Sequence, residues 1–177
     1  MAPLPAPSGL EDLKPDCGAC AALCCVAPAF DKGDDFALNK PALTPCRHLT
    51  DGNLCKIHED LVDLGFPACE SFDCLGAGQY VTQNLYGRDT WRTTPELLPE
   101  MAEAFRTLRR IHEALQQMFL AAALPLSPAQ EAARQTTIAA LTPATGWTAA
   151  RLAQAESDGI FAQVRDTLTG FRSAVSR

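Results

Sequence analysis

From Pro95 to the end the chain has neither cysteine nor lysine, and all eight cysteines fall before residue 75. A sulfur set confined to one half serves a local purpose and excludes a disulfide framework spread over the whole chain. Long apolar runs are also missing. The longest candidate, MFLAAALPL from Met118, ends at once around Pro125, far below the roughly 18 to 20 residues of a membrane span, so no membrane partner is expected. The opening MAPLPAPSGLEDLKPD has no basic segment followed by an apolar run and a small-residue cleavage site, which points to a cytoplasmic chain. Clustered thiols in a reducing compartment are more often ligands or redox groups than bridges, and the neighbours Cys24 and Cys25 are badly placed to pair with each other.

A positive surface is lacking as well. Residues 1–80 hold five Lys/Arg against twelve Asp/Glu, and the remainder ten against nine, for a net charge of −6. Cysteine-rich nucleic-acid fingers carry a basic face that neutralises phosphate. An acidic cysteine half repels phosphate, so no nucleic-acid partner is expected. His48, His58 and His112 form no Cys–His nucleophile signature, and no catalytic constellation is found. The fragment GAG at Gly76 lacks the later glycine of a dinucleotide fingerprint, and Asp31, Asp34 and Asp35 lack the bidentate Glu of a Ca²⁺ loop, since Asn39 stands at its position.

What is present is concentrated in CGACAALCC, which places Cys17, Cys20, Cys24 and Cys25 inside nine residues. Cys46, Cys55, Cys69 and Cys74 follow. Asp51-Gly52, between Leu49 and Leu54, is a tight-turn signal. A short hairpin on it brings Cys46 toward Cys55, as small metal knuckles present paired thiolates. His58, three residues after Cys55, reads as a surface residue in the first turn of a helix, with a ninth ligand as the alternative. Adjacent residues of an extended segment point to opposite sides, so Cys24 and Cys25 are expected to divide between two metals or to sit at their junction. Phe72 reads as core, and Met101 and Met118 as core fillers.

The fold class expected is mainly α: a small, irregular, cysteine-rich metal-binding module with a short hairpin, followed by an α-helical bundle-like region. Residues 1–16 read as a mobile lead-in, 17–87 as the cysteine module and 95–177 as the helical region packed on it. Within the module, residues 30–45 read as a solvated, turn-rich connection, KIHEDLVDL as a short amphipathic helix, and the stretch around Gly76, Gly78 and Gly87 as irregular. Beyond it, Leu97, Met101, Phe105, Leu108, Ile111, Leu115 and Met118 recur at helical steps, forming a long amphipathic stripe. SPAQ at Ser127 carries the capping-box pattern of a second helix. A third segment surrounds Arg151 and Leu152, and Phe161, Val164, Leu168, Phe171 and Val175 form a last apolar seam. Because regular apolar stripes begin only near Pro95, a fragment from Thr94 to Arg177 is expected to be helical alone, and chelation to melt only the first half.

CGACAALCC, then Cys46, CKIH, PACESF and Cys74 resemble the bacterial cysteine-cluster family described as a zinc- or iron-chelating domain. The likeness covers roughly residues 17–75, with a three-residue spacer between Cys20 and Cys24 as its departure from the CxxCxxCC pattern. It implies that Cys17, Cys20, Cys24, Cys25, Cys46, Cys55, Cys69 and Cys74 are metal ligands, and it implies little about a reaction. Some relatives are linked to iron–sulfur chemistry or flagellin lysine methylation, but no glycine-rich loop for a methyl donor occurs here.

Thiolates select zinc, iron–sulfur clusters or Cu(I). The ferredoxin run, the radical CxxxCxxC run and the haem-attachment motif each miss by a residue or more. Two functions from different classes follow. One is a cytosolic protein that holds an iron–sulfur cluster for redox or sensing chemistry. The other is a zinc-stabilised interaction module whose helices meet an unidentified protein partner, and a thiol store for Cu(I) or Zn²⁺ comes after both.

Overall fold

The structure, a computed structural model, describes residues 4–87 and 89–175. Residues 1–3 of the expected lead-in and the final two positions of the expected helical region lie outside the described residues. The chain is mainly helical, and the extended pairing among the described residues is limited to the isolated bridges Phe30↔Lys40 and Leu49↔Cys55. None of the helices among the described residues is long and apolar enough to cross a membrane.

In the cysteine half the helices are short: α1 at Leu23–Val26, α2 at Pro67–Ser71 and α3 at Ala77–Tyr80, the last running on into a π-turn at Val81–Tyr86. Three expectations are corrected here. The stretch around Gly76 is helical, because Gly76 takes φ +73° and turns the chain into α3. KIHEDLVDL forms only a 3₁₀ turn at His58–Asp60; Leu61 alone is buried, Leu64 stays exposed, and Gly65 at φ +83° ends the turn. The Asp51-Gly52 turn closes through Thr50 N–H to Leu54 O (2.8 Å) and Lys56 N–H to His48 O (2.8 Å), a single bridge without a strand ladder.

Residues 4–16 of the expected mobile lead-in are docked on the chain. Leu4 exchanges hydrogen bonds with the Asn84 amide (2.8 and 2.9 Å), the Gln79 side chain ties Lys14 O and Asp16 N–H, and Leu13 is buried. The connection over residues 30–45 is turn-rich, with Asp31, Asp34 and Asp35 exposed as expected. It contains one buried cation, Lys40, that the sequence placed among the solvated charges.

The second half is built on α4, Leu98–Ala121, whose Met101, Phe105, Leu108, Ile111, Leu115 and Met118 are all buried. Helix α5, Pro128–Leu141, begins with the expected capping box between Ser127 and Gln130. Its Arg134 lies flat under the helix, donating to Met118 O (3.0 Å) and to both carboxylate oxygens of Glu131 (2.7 Å each). Helix α6 spans Ala149–Gln154, and the last expected seam splits into α7, Ile160–Gly170, and α8, Arg172–Val175. Phe171 at the break is buried, whereas Val175 is exposed, so the seam ends before its last member.

The halves do not have separate cores. Leu13, Leu23, Val26, Leu75, Ala77 and Val81 belong to one buried cluster with Phe105, Leu108 and Ile111. Helix α4 packs on α1, on α3 and on the π-turn as well as on α5 and α6. Trp91, in the connection, closes the seam by donating its indole N–H to Ala21 O (2.7 Å).

Candidate metal centre

Four short pieces of backbone carry the sulfurs. A 3₁₀ turn at Cys17–Ala19 presents Cys17 and leads into Cys20, whose N–H returns to Cys17 O (3.4 Å). Ala22 at φ +59° then reverses the chain into α1, which carries Cys24 and Cys25. That turn corrects the expectation that this pair is extended. On a helical turn the two side chains need not oppose each other, and their sulfurs lie 3.9 Å apart. The edge of a tetrahedral site with metal–sulfur bonds of about 2.3 Å is about 3.8 Å, so the pair is spaced to share a metal or to meet at a junction. Cys46 is held against this turn by its N–H to Cys25 O (3.0 Å), and Cys55 faces Leu49 across the isolated bridge. Cys69 sits on α2, and Cys74 just precedes α3.

All eight thiols line one cavity of about 730 Å³. Apart from sulfur its wall is mostly apolar, with Phe30, Phe36, Phe66, Phe72 and Phe105 among the lining residues. Phe72 is therefore not a core residue: it is 43% exposed and covered by the Arg109 guanidinium at 5.0 Å. His58 lies exposed at the edge of the same cavity. His48 also lines it, but its Nε2 accepts from Arg47 (3.2 Å) and its ring stands edge-on to Phe66 (5.3 Å). Among the described residues no three His, Cys, Asp or Glu side chains are already gathered as ligands of a single ion. The sulfurs stand around the wall.

The donor chemistry fits a thiolate-bound metal. Backbone N–H groups of Ala22 and Leu23 point at Cys20, that of Ile57 at Cys55, and those of Gly76 and Gly78 at Cys74. Such donors stabilise the anionic sulfur a metal requires. Burial opposes them. It pushes the Cys20 and Cys69 thiols up to about 11, and raises Cys17, Cys55 and Cys74 as well. Cys24 is raised most, first by its contact with the Cys25 thiol and then by burial. Thiols that resist ionisation lose their protons to an entering cation, so metal uptake is coupled to proton release.

Two residues outside the cysteine set shape the site. A side chain at Gly78 would put its Cβ 2.6 Å from the Cys20 sulfur, so that the sulfur must turn away about its one side-chain bond. Gly78→Ala should therefore leave the metal-free fold intact, since alanine favours a helix by about 1 kcal/mol over glycine, while forcing the Cys20 thiol off its direction. The expected result is reduced metal content at unchanged helical circular dichroism; full metal content would disprove the role given to this glycine. The other residue is Lys40, 4% exposed, on the loop that leads from α1 to Cys46. It donates to the carbonyls of Val26 (3.1 Å), Pro28 (2.5 Å), Pro41 (3.1 Å) and Thr44 (2.8 Å). In the sequence, the glycines after Cys74 read only as irregular chain, although close backbone approach is another use of glycine; nothing distinguished Lys40 from its solvated neighbours.

No family model matches the chain, and no solved structure matches it. The chain is similar to a curated protein of Bacillus subtilis (strain 168), "Uncharacterized protein YybG", with 35% identity over 157 residues. The aligned region covers 89% of this chain and 56% of that protein, so the chain spans about half the length of the relative it matches.

Proposed function

We propose that the chain is a metal-binding protein whose eight cysteines hold iron–sulfur chemistry for a redox or sensing role. The observation that carries the reading is that every cysteine, contributed by segments as distant as Cys17 and Cys74, lines the same cavity. A chance distribution of small, buried thiols would scatter them through the core, whereas none of the eight is among the fully buried core residues. The cavity volume favours iron–sulfur over bare zinc. Mononuclear zinc sites draw their sulfurs into contact around one ion, whereas a cluster brings its own sulfide and occupies the space between thiolates that line a wider wall. The resemblance of residues 17–75 to the cysteine-cluster family supports the same ligand set.

When bound, such a cluster supplies electron-transfer or sensing chemistry. The chain's own residues contribute the eight thiols and a largely apolar wall that includes Phe30, Phe36, Phe66 and Phe105. Zinc stabilisation of an interaction module is the second reading, and the 3.9 Å approach of the Cys24 and Cys25 sulfurs is the observation in its favour. Anaerobic purification followed by iron, zinc and acid-labile sulfide analysis separates the two. Brown protein with iron and sulfide in comparable amounts is expected. Colourless protein with stoichiometric zinc would replace the first reading by the second, and a chain that takes up neither would overturn both.

A further inference from the structure

We propose that Arg109 and His112, both on α4, are positioning residues for Cys74: they hold the peptide carbonyls on either side of it, so that its sulfur keeps its place on the cavity wall. The proposal rests on the metal-binding reading and adds to it the means by which the helical half fixes a ligand.

Cys74 stands in a stretch that belongs to no helix. Leu75, directly after it, takes φ +51°, a left-handed conformation that an L side chain rarely adopts and keeps only where its surroundings impose it. Part of that imposition is local. Asp73 Oδ1 accepts Leu75 N–H (2.7 Å), and Cys74 O accepts Ala77 N–H at the head of α3 (3.0 Å). The carbonyls of the two flanking residues are held from α4 instead. Arg109 Nε–H donates to Asp73 O (2.9 Å), and His112 Nδ1 lies 2.6 Å from Leu75 O. A carbonyl only accepts, so His112 carries a proton on Nδ1. Three residues apart on one helix, the two side chains are neighbours on its surface, and they meet the chain just before and just after the thiol.

Each donor is itself fixed. His112 is buried, and its ring stands edge-on to Tyr80 of α3 (5.9 Å). Arg109 lies over the Phe72 ring (5.0 Å) and pairs with Glu113 (3.5 Å). The neighbouring buried positions of α4, Leu108, Ile111 and Leu115, are aliphatic. An imidazole buried in that row costs free energy unless it is hydrogen-bonded, and Leu75 O is its partner. The thiol between the two held carbonyls lines the cavity with the other seven.

The full chain, reduced, metal-free and anaerobic, would be given a short pulse of iodoacetamide in native buffer, and alkylation would be measured at each cysteine by mass spectrometry. His112→Leu removes the donor; His112→Asn returns an amide N–H near the Nδ1 position. Cys46, held by Cys25 O, is the internal reference, because a variant that merely loosens the fold speeds both thiols and leaves their ratio unchanged. His112→Leu is expected to raise the Cys74 rate relative to Cys46 by about three- to tenfold, the range of one lost hydrogen bond, and His112→Asn to restore most of the parent's ratio. Arg109→Met, at a partly exposed position, should shift the ratio the same way and carries the test if His112→Leu does not fold. Arg106→Met, exposed and paired with Glu103, is the control and should leave it unchanged. Co²⁺ alone, which tetrahedral thiolate coordination colours, is then titrated into the same proteins. His112→Leu and Arg109→Met should bind it about three- to tenfold more weakly than the parent. Equal Cys74-to-Cys46 ratios in the parent and in both variants would overturn the positioning role while leaving metal binding intact. A raised ratio with unchanged Co²⁺ affinity would overturn it too, since the thiol so held would not be a ligand. A parent that binds no Co²⁺ would overturn the metal-binding reading and the proposal with it.

Discussion

Lys40→Met is expected to lower the stability of the metal-free chain by about 3 kcal/mol or more, the cost typical of removing one partner from a buried, charge-assisted hydrogen-bond set. Methionine matches the length of the stem but has no donor, so the carbonyls of Val26, Pro28, Pro41 and Thr44 would lose their shared ammonium in a place that water enters poorly. Those carbonyls belong to both ends of the loop that begins after α1 and ends at Cys46. The Phe30↔Lys40 bridge, Leu43 N–H to Ala27 O (3.3 Å) and the stacked Phe30 and Phe36 rings, 4.2 Å apart, hold the same loop. Loss of its centre should therefore release Cys46 from Cys25. For a domain of this size the shift amounts to a fall of about 6–12 °C in melting temperature. Lys32→Met, on the same loop but exposed, is the control and should stay within about 0.5 kcal/mol of the parent. Equal urea midpoints for the two variants would show that the buried ammonium contributes nothing. Because this loop also holds Cys46 N–H on Cys25 O (3.0 Å), ligand loss and stability loss should accompany each other in this variant.

The helical scaffold was legible because it rests on local rules. The stripe from Met101 to Met118 has the period of a helix, and every member named in it is buried. Ser127 and Gln130 make their capping box through neighbouring backbone alone. The cysteine half was legible in composition and poorly legible in shape. Its helices, at four and five residues, are too short to show a period. Leu23 and Val26 are buried there by tertiary contact with α4. Ala22 in the left-handed region, which turns Cys24 and Cys25 onto a helix, has no sequence signal, since an alanine rarely adopts that conformation. Likewise Lys40 reads as one more surface charge until the loop folds back upon it. How far the cysteine half and the helical region packed on it share one core was illegible for the same reason: periodicity finds where stripes begin, not what they pack against.

Cutting the chain at Thr94 should leave a fragment with little cooperative structure, contrary to what the apolar stripes alone suggest. Helix α4 presents Phe105, Leu108 and Ile111 to Leu13, Leu23, Val26, Leu75 and Val81 from the cysteine half, within one buried cluster. Burial of a side chain of this kind contributes about 1.5–3 kcal/mol, so these five together represent about 7–15 kcal/mol, an upper range because unfolded chains already bury some apolar surface. That is comparable with the whole stability of a typical domain, about 5–15 kcal/mol. The pairings among α4, α5, α6 and α7 would remain, but α4 would expose the face that the cysteine half now covers. The same shared core decides how metal removal acts. Ligand binding stabilises the entire cooperative unit by an amount set by its concentration over Kd, so a chelator should lower one common transition rather than melt residues 17–87 alone. The measurement is urea unfolding of the full chain carrying Trp147→Phe, so that Trp91 is its one tryptophan, with and without chelator, followed both by helical circular dichroism and by Trp91 fluorescence, with the fragment run alongside by circular dichroism. Coincident midpoints for the two probes and a shallow, non-sigmoidal curve for the fragment are expected. A fragment that unfolds sigmoidally near the parent's midpoint would mean that the helices carry a core of their own and that the buried cluster is not energetically shared.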